Sequence, residues 1–152
     1  MQLVRLDLLH LDTAAALLEL QRRAYRVEAE LIGFEGIPPL HETLEELRRC
    51  GETFLGACDD ERLIGAISWR YDGTTIDIHR LVVDPDAFRR GVGSALLGAA
   101  LAAEPAAIRA VVQTGADNAP AGALYLREGF ERQKDAVLEG GLRVARFVKR
   151  LS

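Results

Sequence analysis

The chain predicts a mixed α+β layer with antiparallel hairpins early and crossover helices late. Three observations carry that expectation. Apolar strand-like runs are separated by short turn signals at Asp59-Asp60 and Asp72-Gly73. Apolar residues recur at helical spacing in Leu17, Leu20, Ala24, Val27 and Leu31, and again in Val92, Leu96 and Ala99. Residues 81–97 pass from a β-branched strand through a Pro-punctuated turn and a glycine-bearing loop into that second helix.

Composition is that of an ordinary globular domain: 152 residues, 49% hydrophobic, 28% charged, with a formal net charge of −4. The acidic balance argues against a broad nucleic-acid surface, whose binding rests on clustered Lys and Arg. Arg5, Asp7, His10 and Asp12 interrupt the apolar start of the chain, so neither a secretion signal nor a membrane span is read, and a cytoplasmic protein is expected. Cys50 and Cys58 lack metal-ligand spacing and read as reduced structural thiols. No metal is expected.

In chain order, residues 2–8 suit a first strand with Val4, Leu6 and Leu8 on one face. Asp12 or Thr13 can cap the helix that follows, which stops at Gly33, with Tyr25 and Glu28 on its half-sheltered flank. Residues 34–39 form a loop. Thr43 and Glu46 have capping-box spacing for a short second helix ending at Gly51. Strands then span residues 53–58, 63–71 and 75–83. After the glycine helix come a strand over 107–113, a helix opened by Asn118-Ala119-Pro120 over 121–127, and two last strands near 131–138 and 142–151 around Gly140-Gly141. The order is β-α-α-β-β-β-α-β-α-β-β: about seven strands and four helices in one domain over residues 1–152.

The loop Arg89-Arg90-Gly91-Val92-Gly93-Ser94 sits where the first N–H groups of a helix have no intrahelical partners and its dipole is positive. Such a turn suits a phosphate, although two glycines also ease a tight strand-to-helix turn. There is no Gly-Lys-Ser/Thr for a nucleoside triphosphate, and no third glycine for a dinucleotide.

Three motifs together resemble the GNAT superfamily of N-acetyltransferases: Val82-Val83-Asp84-Pro85 with Arg89-Arg90-Gly91-Val92-Gly93; Asn118-Ala119-Pro120-Ala121; and Leu124-Tyr125 with Gly129-Phe130. Phe88 departs from the pattern, standing where the family often has Gln or Arg. The resemblance implies a three-layer fold whose mixed, mostly antiparallel sheet contains a splayed parallel pair of strands. It implies acetyl-CoA as donor, with pantetheine between residues 80–83 and 111–114. Leu81, Val82 and Val83, the loop Arg89, Arg90, Gly91, Val92, Gly93 and Ser94, and Asn118 are the expected cofactor contacts.

By the same resemblance Tyr125 is the general acid and Asp77 the base that takes a proton from an amine, with His79 the alternative on its own chemistry. Asp77 and His79 alternate onto one strand face, with Ile76, Ile78 and Arg80 on the other, and imidazole suits proton uptake near neutral pH. Tyr25, Glu28, Glu30, Glu35, Trp69 and Tyr71 are candidates for the acceptor pocket, carboxylates to attract an ammonium and aromatics to cover it. The expected activity is acetyl transfer to a primary amine on a small molecule, peptide or protein, without nucleic-acid or membrane partners. A CoA-binding sensor without transferase activity is the alternative. The final strands look exposed enough to pair in a homodimer.

Overall fold

The computed structural model describes residues 1–33 and 41–151. Glu35, expected near the acceptor, lies outside the described residues. An eight-stranded sheet runs in the order β1-β2-β3-β4-β5-β8-β6, with β7 paired to β8. The strands are β1 (Gln2–Leu6), β2 (Thr53–Asp59), β3 (Arg62–Tyr71), β4 (Thr75–Val83), β5 (Arg109–Gly115), β6 (Glu131–Arg132), β7 (Ala136–Val137) and β8 (Arg143–Arg150). Among the described residues the helices are α1 (Leu11–Ile32), α2 (Leu44–Arg48), α3 (Val92–Ala102) and α4 (Ala119–Arg127). The last expected strand pair is therefore three strands, because the chain breaks between Arg132 and Ala136.

Two cores flank the sheet. Leu17, Leu18, Tyr25 and Ala29 of α1 pack with Leu47 of α2 on Phe54, Ala66 and Val82. Val92, Leu96, Leu97 and Ala100 of α3 pack with Tyr125 of α4 on Ile67, Trp69, Ile76, Ile78 and Val112. Three layers result, as the resemblance implies. The α1 stripe is rotated from the expected one in its second half. Tyr25 and Ala29 are buried, while Leu31 is exposed and Val27 only half-buried. The end of α1 lies over the end of β5, where a Cβ on Gly115 would stand 3.0 Å from Ile32 Cδ1.

The expected caps divide. The Thr43–Glu46 capping box is present in full. Helix α1 instead begins after His10, which makes no side-chain cap, so neither Asp12 nor Thr13 serves as one. The Asp72 carboxylate accepts from the N–H groups of Thr74 (2.9 Å) and Thr75 (2.8 Å), closing the β3–β4 hairpin.

The β3–β4 register positions the site. Trp69 pairs with Ile78 but Ser68 pairs with Arg80, so His79 is an extra residue in β4 with none opposite it. Such a bulge kinks its strand and reverses the side-chain alternation beyond it. The expectation that Arg80 shares a face with Ile76 and Ile78 is therefore corrected. Those isoleucines lie in the α3 core, whereas Arg80 bonds to Gln21 of α1.

Candidate active site

β4 and β5 are the parallel pair, linked through α3, and their ladder covers only Thr75–Ile78 against Arg109–Val112. Past the bulge they part. β4 stays with β3 through Val83, and β5 stays with β8 through Gly115. The facing edges beyond Ile78 and Val112 are unpaired with each other, which fits a ligand that carries amides of its own. Val111, expected to line this gap, is still in the ladder opposite Asp77.

The mouth of the gap leads to the start of α3. Gly91 is its N-cap, in the left-handed region at φ 75°, and has open space where a side chain would be. The first intrahelical bond runs from the Ala95 N–H to the Gly91 carbonyl, so the N–H groups of Val92, Gly93 and Ser94 precede the ladder. A side-chain-free cap and three such donors fit a diphosphate. Gly93 serves a different purpose from Gly91. A Cβ there would stand 3.2 Å from Leu124 Cδ2, so its bareness lets α4 approach α3.

Of the loop arginines, Arg90 is tied to Asp59 at 2.6 Å, while Arg89 is exposed at φ 67°. Phe88 is exposed. Val82 and Val92 bury their side chains in the two cores, and Leu81 and Val83 pack partly on the α3 side. Of these, Leu81, Val82 and Val83 lie on the stretch of β4 that is unpaired with β5.

The loop is held from behind by Asp84, which the sequence motif contains but to which no role was assigned. Its carboxylate is 1% exposed and receives Arg23 of α1 (2.9 and 3.0 Å), Arg62 of β3 (2.9 Å) and the Asp86 N–H (2.9 Å). The helix that borders the site and the loop thus share one carboxylate.

Tyr125 lies in the core, its ring against Phe130 and Phe147 at centroid distances of 5.7 and 5.4 Å. Burial, and then the Glu28 charge, push its hydroxyl far above the usual phenol range, so it holds its proton. Burial also raises the Glu28 carboxyl, against hydrogen bonds from Asn118 Nδ2 (2.6 Å) and Thr114 Oγ1 (3.3 Å). Asn118 Oδ1 accepts the Ala121 N–H, so this residue caps α4 and clamps Glu28, both inside the protein. Tyr25 lies beside Glu28 and is likewise raised, chiefly by burial and next by the Glu28 charge.

At the bulge, His79 Nδ1 is 3.4 Å from Glu52 and its Nε2 3.4 Å from Asp77. Asp77, Ile78, His79, Val111, Val112, Gln113 and Arg146 line a cavity of about 270 Å³ where the ladder ends. Behind it, buried Arg80 bonds to Glu52, Glu42 and Gln21 and stands over the Phe54 ring. Burial alone would raise the Glu52 carboxyl, but Arg80 and Ser68 outweigh it and hold it below its ordinary range. Glu42, Glu52, Gln113 and Arg146 were not singled out from sequence. An arginine within a buried strand was the available signal, since it demands acidic partners.

The candidates for the acceptor pocket separate. Tyr25 and Glu28 stand together on α1. Trp69, 1% exposed, and half-buried Tyr71 belong to the α3-side core, with Trp69 Nε1 donating to Glu104 at 3.4 Å. Glu30 is exposed.

No helix among the described residues is long and apolar enough to cross a membrane, and none of their His, Cys, Asp and Glu side chains group to hold a metal. The chain is 37% identical over 134 residues to the UPF0157 protein YqkA of Bacillus subtilis (strain 168), covering 88% of this chain and 39% of that protein. It is 42% identical over 82 residues to a mycothiol acetyltransferase of Clavibacter sepedonicus, covering 53% of this chain and 26% of that one. The chain thus spans well under half the length of these curated relatives. In fold it matches the PaiA N-acetyltransferase of Thermoplasma acidophilum, solved in complex with coenzyme A. The TM-score is 0.74 at 19% identity, over 99% of this chain and 100% of the other. Residues 14–130 match the sequence model of the acetyltransferase (GNAT) family, and with the parted β4–β5 pair in place the chain belongs to that family.

Proposed function

We propose that this chain is an N-acetyltransferase that moves an acetyl group from acetyl-CoA to a primary amine by direct attack. The parting of β4 from β5 beside the bare-capped start of α3 is the observation that carries the reading. Bound there, acetyl-CoA would supply a thioester carbonyl open to a nucleophile.

The chain's own groups have separable tasks. The N–H groups of Val92, Gly93 and Ser94 receive the diphosphate, and the unpaired edges of β4 and β5 receive the pantetheine amides. At the end of the ladder, Asp77 or His79 takes the proton that leaves the ammonium, since only a neutral amine has a lone pair for attack. The nitrogen–carbon bond forms, the carbon–sulfur bond breaks, and the Tyr125 hydroxyl gives its proton to the departing sulfur; the nitrogen then loses its second proton, which restores the Tyr125 hydroxyl. Burial, and next the Glu28 charge, keep the phenol protonated before transfer and make it a weaker acid.

Thiol release from acetyl-CoA, followed with a panel of primary amines, tests the reading. Amine-dependent release that falls in Asp77→Asn or His79→Gln is expected. Tight CoA binding with no release for any amine would replace it with the CoA-sensor reading.

A further inference from the structure

The cavity at the end of the β4–β5 ladder carries opposite charges on its two sides, and this speaks to what the amine is attached to. On one side are Asp77 and His79 of β4; on the other is Arg146 of β8. Val111 and Gln113 of β5 lie between them. Asp77 pairs with Val111, and Gln113 pairs directly with Arg146, so the register fixes the order across the sheet.

Asp77 and Arg146 are two strands apart, roughly 10 Å at ~4.8 Å per strand, and both line the same cavity. Arg146 has no carboxylate partner among the described residues. Its neighbours are spoken for: Arg132 pairs with Asp135 at 3.0 Å and Arg143 with Asp135 at 3.6 Å. The Gln113 side chain likewise spends no hydrogen bond inside the described protein. A guanidinium beside an amide, both facing one cavity and both unspent, is a donor set for a carboxylate or phosphate.

We propose that the acceptor carries an anionic group a few atoms from its amine, with Arg146 and Gln113 holding the anion while the amine lies at Asp77 and His79. The proposal rests on the amine-acetylation reading and adds the chemical class of the acceptor. It is a statement about specificity, and Arg146 is its determinant.

The test uses ω-aminocarboxylates from glycine to 6-aminohexanoate, aminoalkyl phosphates of matching length, and plain alkylamines. Acetyl transfer and equilibrium binding, the latter in the presence of CoA, are both measured. Wild-type protein should prefer some anion-bearing length over its alkylamine by about tenfold or more, the scale of a charged hydrogen bond. Arg146→Gln should collapse that ratio toward one, and Arg146→Lys should restore part of it. The carboxylate and phosphate series tell which anion is recognised.

If neither transfer nor binding favours the anion, or if the preference survives Arg146→Gln, the proposal is wrong. Binding that follows Arg146 without transfer to any amine would instead overturn the acetylation reading and leave the anion site standing. Transfer to plain amines with no anion preference does the reverse.

Discussion

Two half-buried carboxylates, Glu52 and Glu28, have surroundings that drive them in opposite directions. Glu52 has cationic and hydroxyl donors in Arg80 and Ser68, and its carboxyl is held below the ordinary range. Glu28 has only neutral donors, Asn118 and Thr114, and burial raises it. Coulombic compensation decides the difference, since a carboxylate out of water is costly unless a cation faces it. Tyr25 lies between the two and feels both charges, with burial the larger cause of its raised hydroxyl. The lesson is a division of labour: Arg80 ties the bulged strand to Glu52 and to α1, while the Glu28 charge adds to burial in keeping Tyr125 protonated.

The largest expected effect lies on the Glu28 side of the contrast. Tyr125→Phe keeps the ring between Phe130 and Phe147 and deletes only the hydroxyl. If Tyr125 donates the proton to sulfur, kcat should fall about 10²–10⁴-fold with acetyl-CoA affinity nearly unchanged. Native kcat under conditions where chemistry limits turnover would remove Tyr125 from the mechanism and leave this side structural like the other.

On the Glu52 side the loss should appear in stability. Glu52→Gln leaves buried Arg80 with Glu42 as its remaining carboxylate. We expect a cost of about 2 kcal/mol, less than for a wholly unpaired buried charge, and a Tm lowered by about 4–8 °C. The sign with pH follows from the direction of the shift. A depressed carboxyl contributes stability above its ordinary value of 4.5, and that contribution fades as pH falls through the folded value. The gap between wild type and Glu52→Gln in urea midpoints should therefore narrow on acidification. A gap that stays constant down to acid pH would show that the substitution had cost packing rather than charge.

The contrast between these carboxylates was not legible in the sequence, although most of the frame was. Element order, the Thr43–Glu46 box and the glycine-capped α3 all follow from local chemistry that acts within a few residues. The bulge at His79 leaves no local mark. Residues 76–80 read as unbroken alternation, and only the pairing with β3 exposes the extra residue. Arg80 meets Glu52 and Glu42 across 28 and 38 residues of chain, beyond any spacing rule. The phase of α1 was misread because small Ala14 and Ala29 carry the contact, while bulkier Val27 and Leu31 suggested another face. Trp69 and Tyr71 were placed near the acceptor by the family resemblance, on the strand opposite the first helix; their strand parity puts them in the α3-side core.

The smallest effect sharpens the comparison most, because it should carry the opposite sign. In Glu28→Gln the side-chain oxygen can still accept from Asn118 and Thr114, so the α1–α4 clamp is retained while the charge goes. A carboxyl raised by burial binds its proton more tightly folded than unfolded, so native stability declines as pH rises from about 4.5 through the folded value. Above that window Glu28→Gln should be as stable as wild type or more so, by under about 1 kcal/mol. Below it the two should converge. The Tyr125 hydroxyl should also ionise at lower pH in the variant, because the neighbouring negative charge that opposes its ionisation is gone. Ultraviolet titration of the phenols, set against Tyr125→Phe to assign the signal, reads this directly. A variant less stable than wild type at neutral pH, with an unmoved Tyr125 titration, would mean that the ionised carboxylate strengthens the Asn118 and Thr114 hydrogen bonds and does not act on Tyr125.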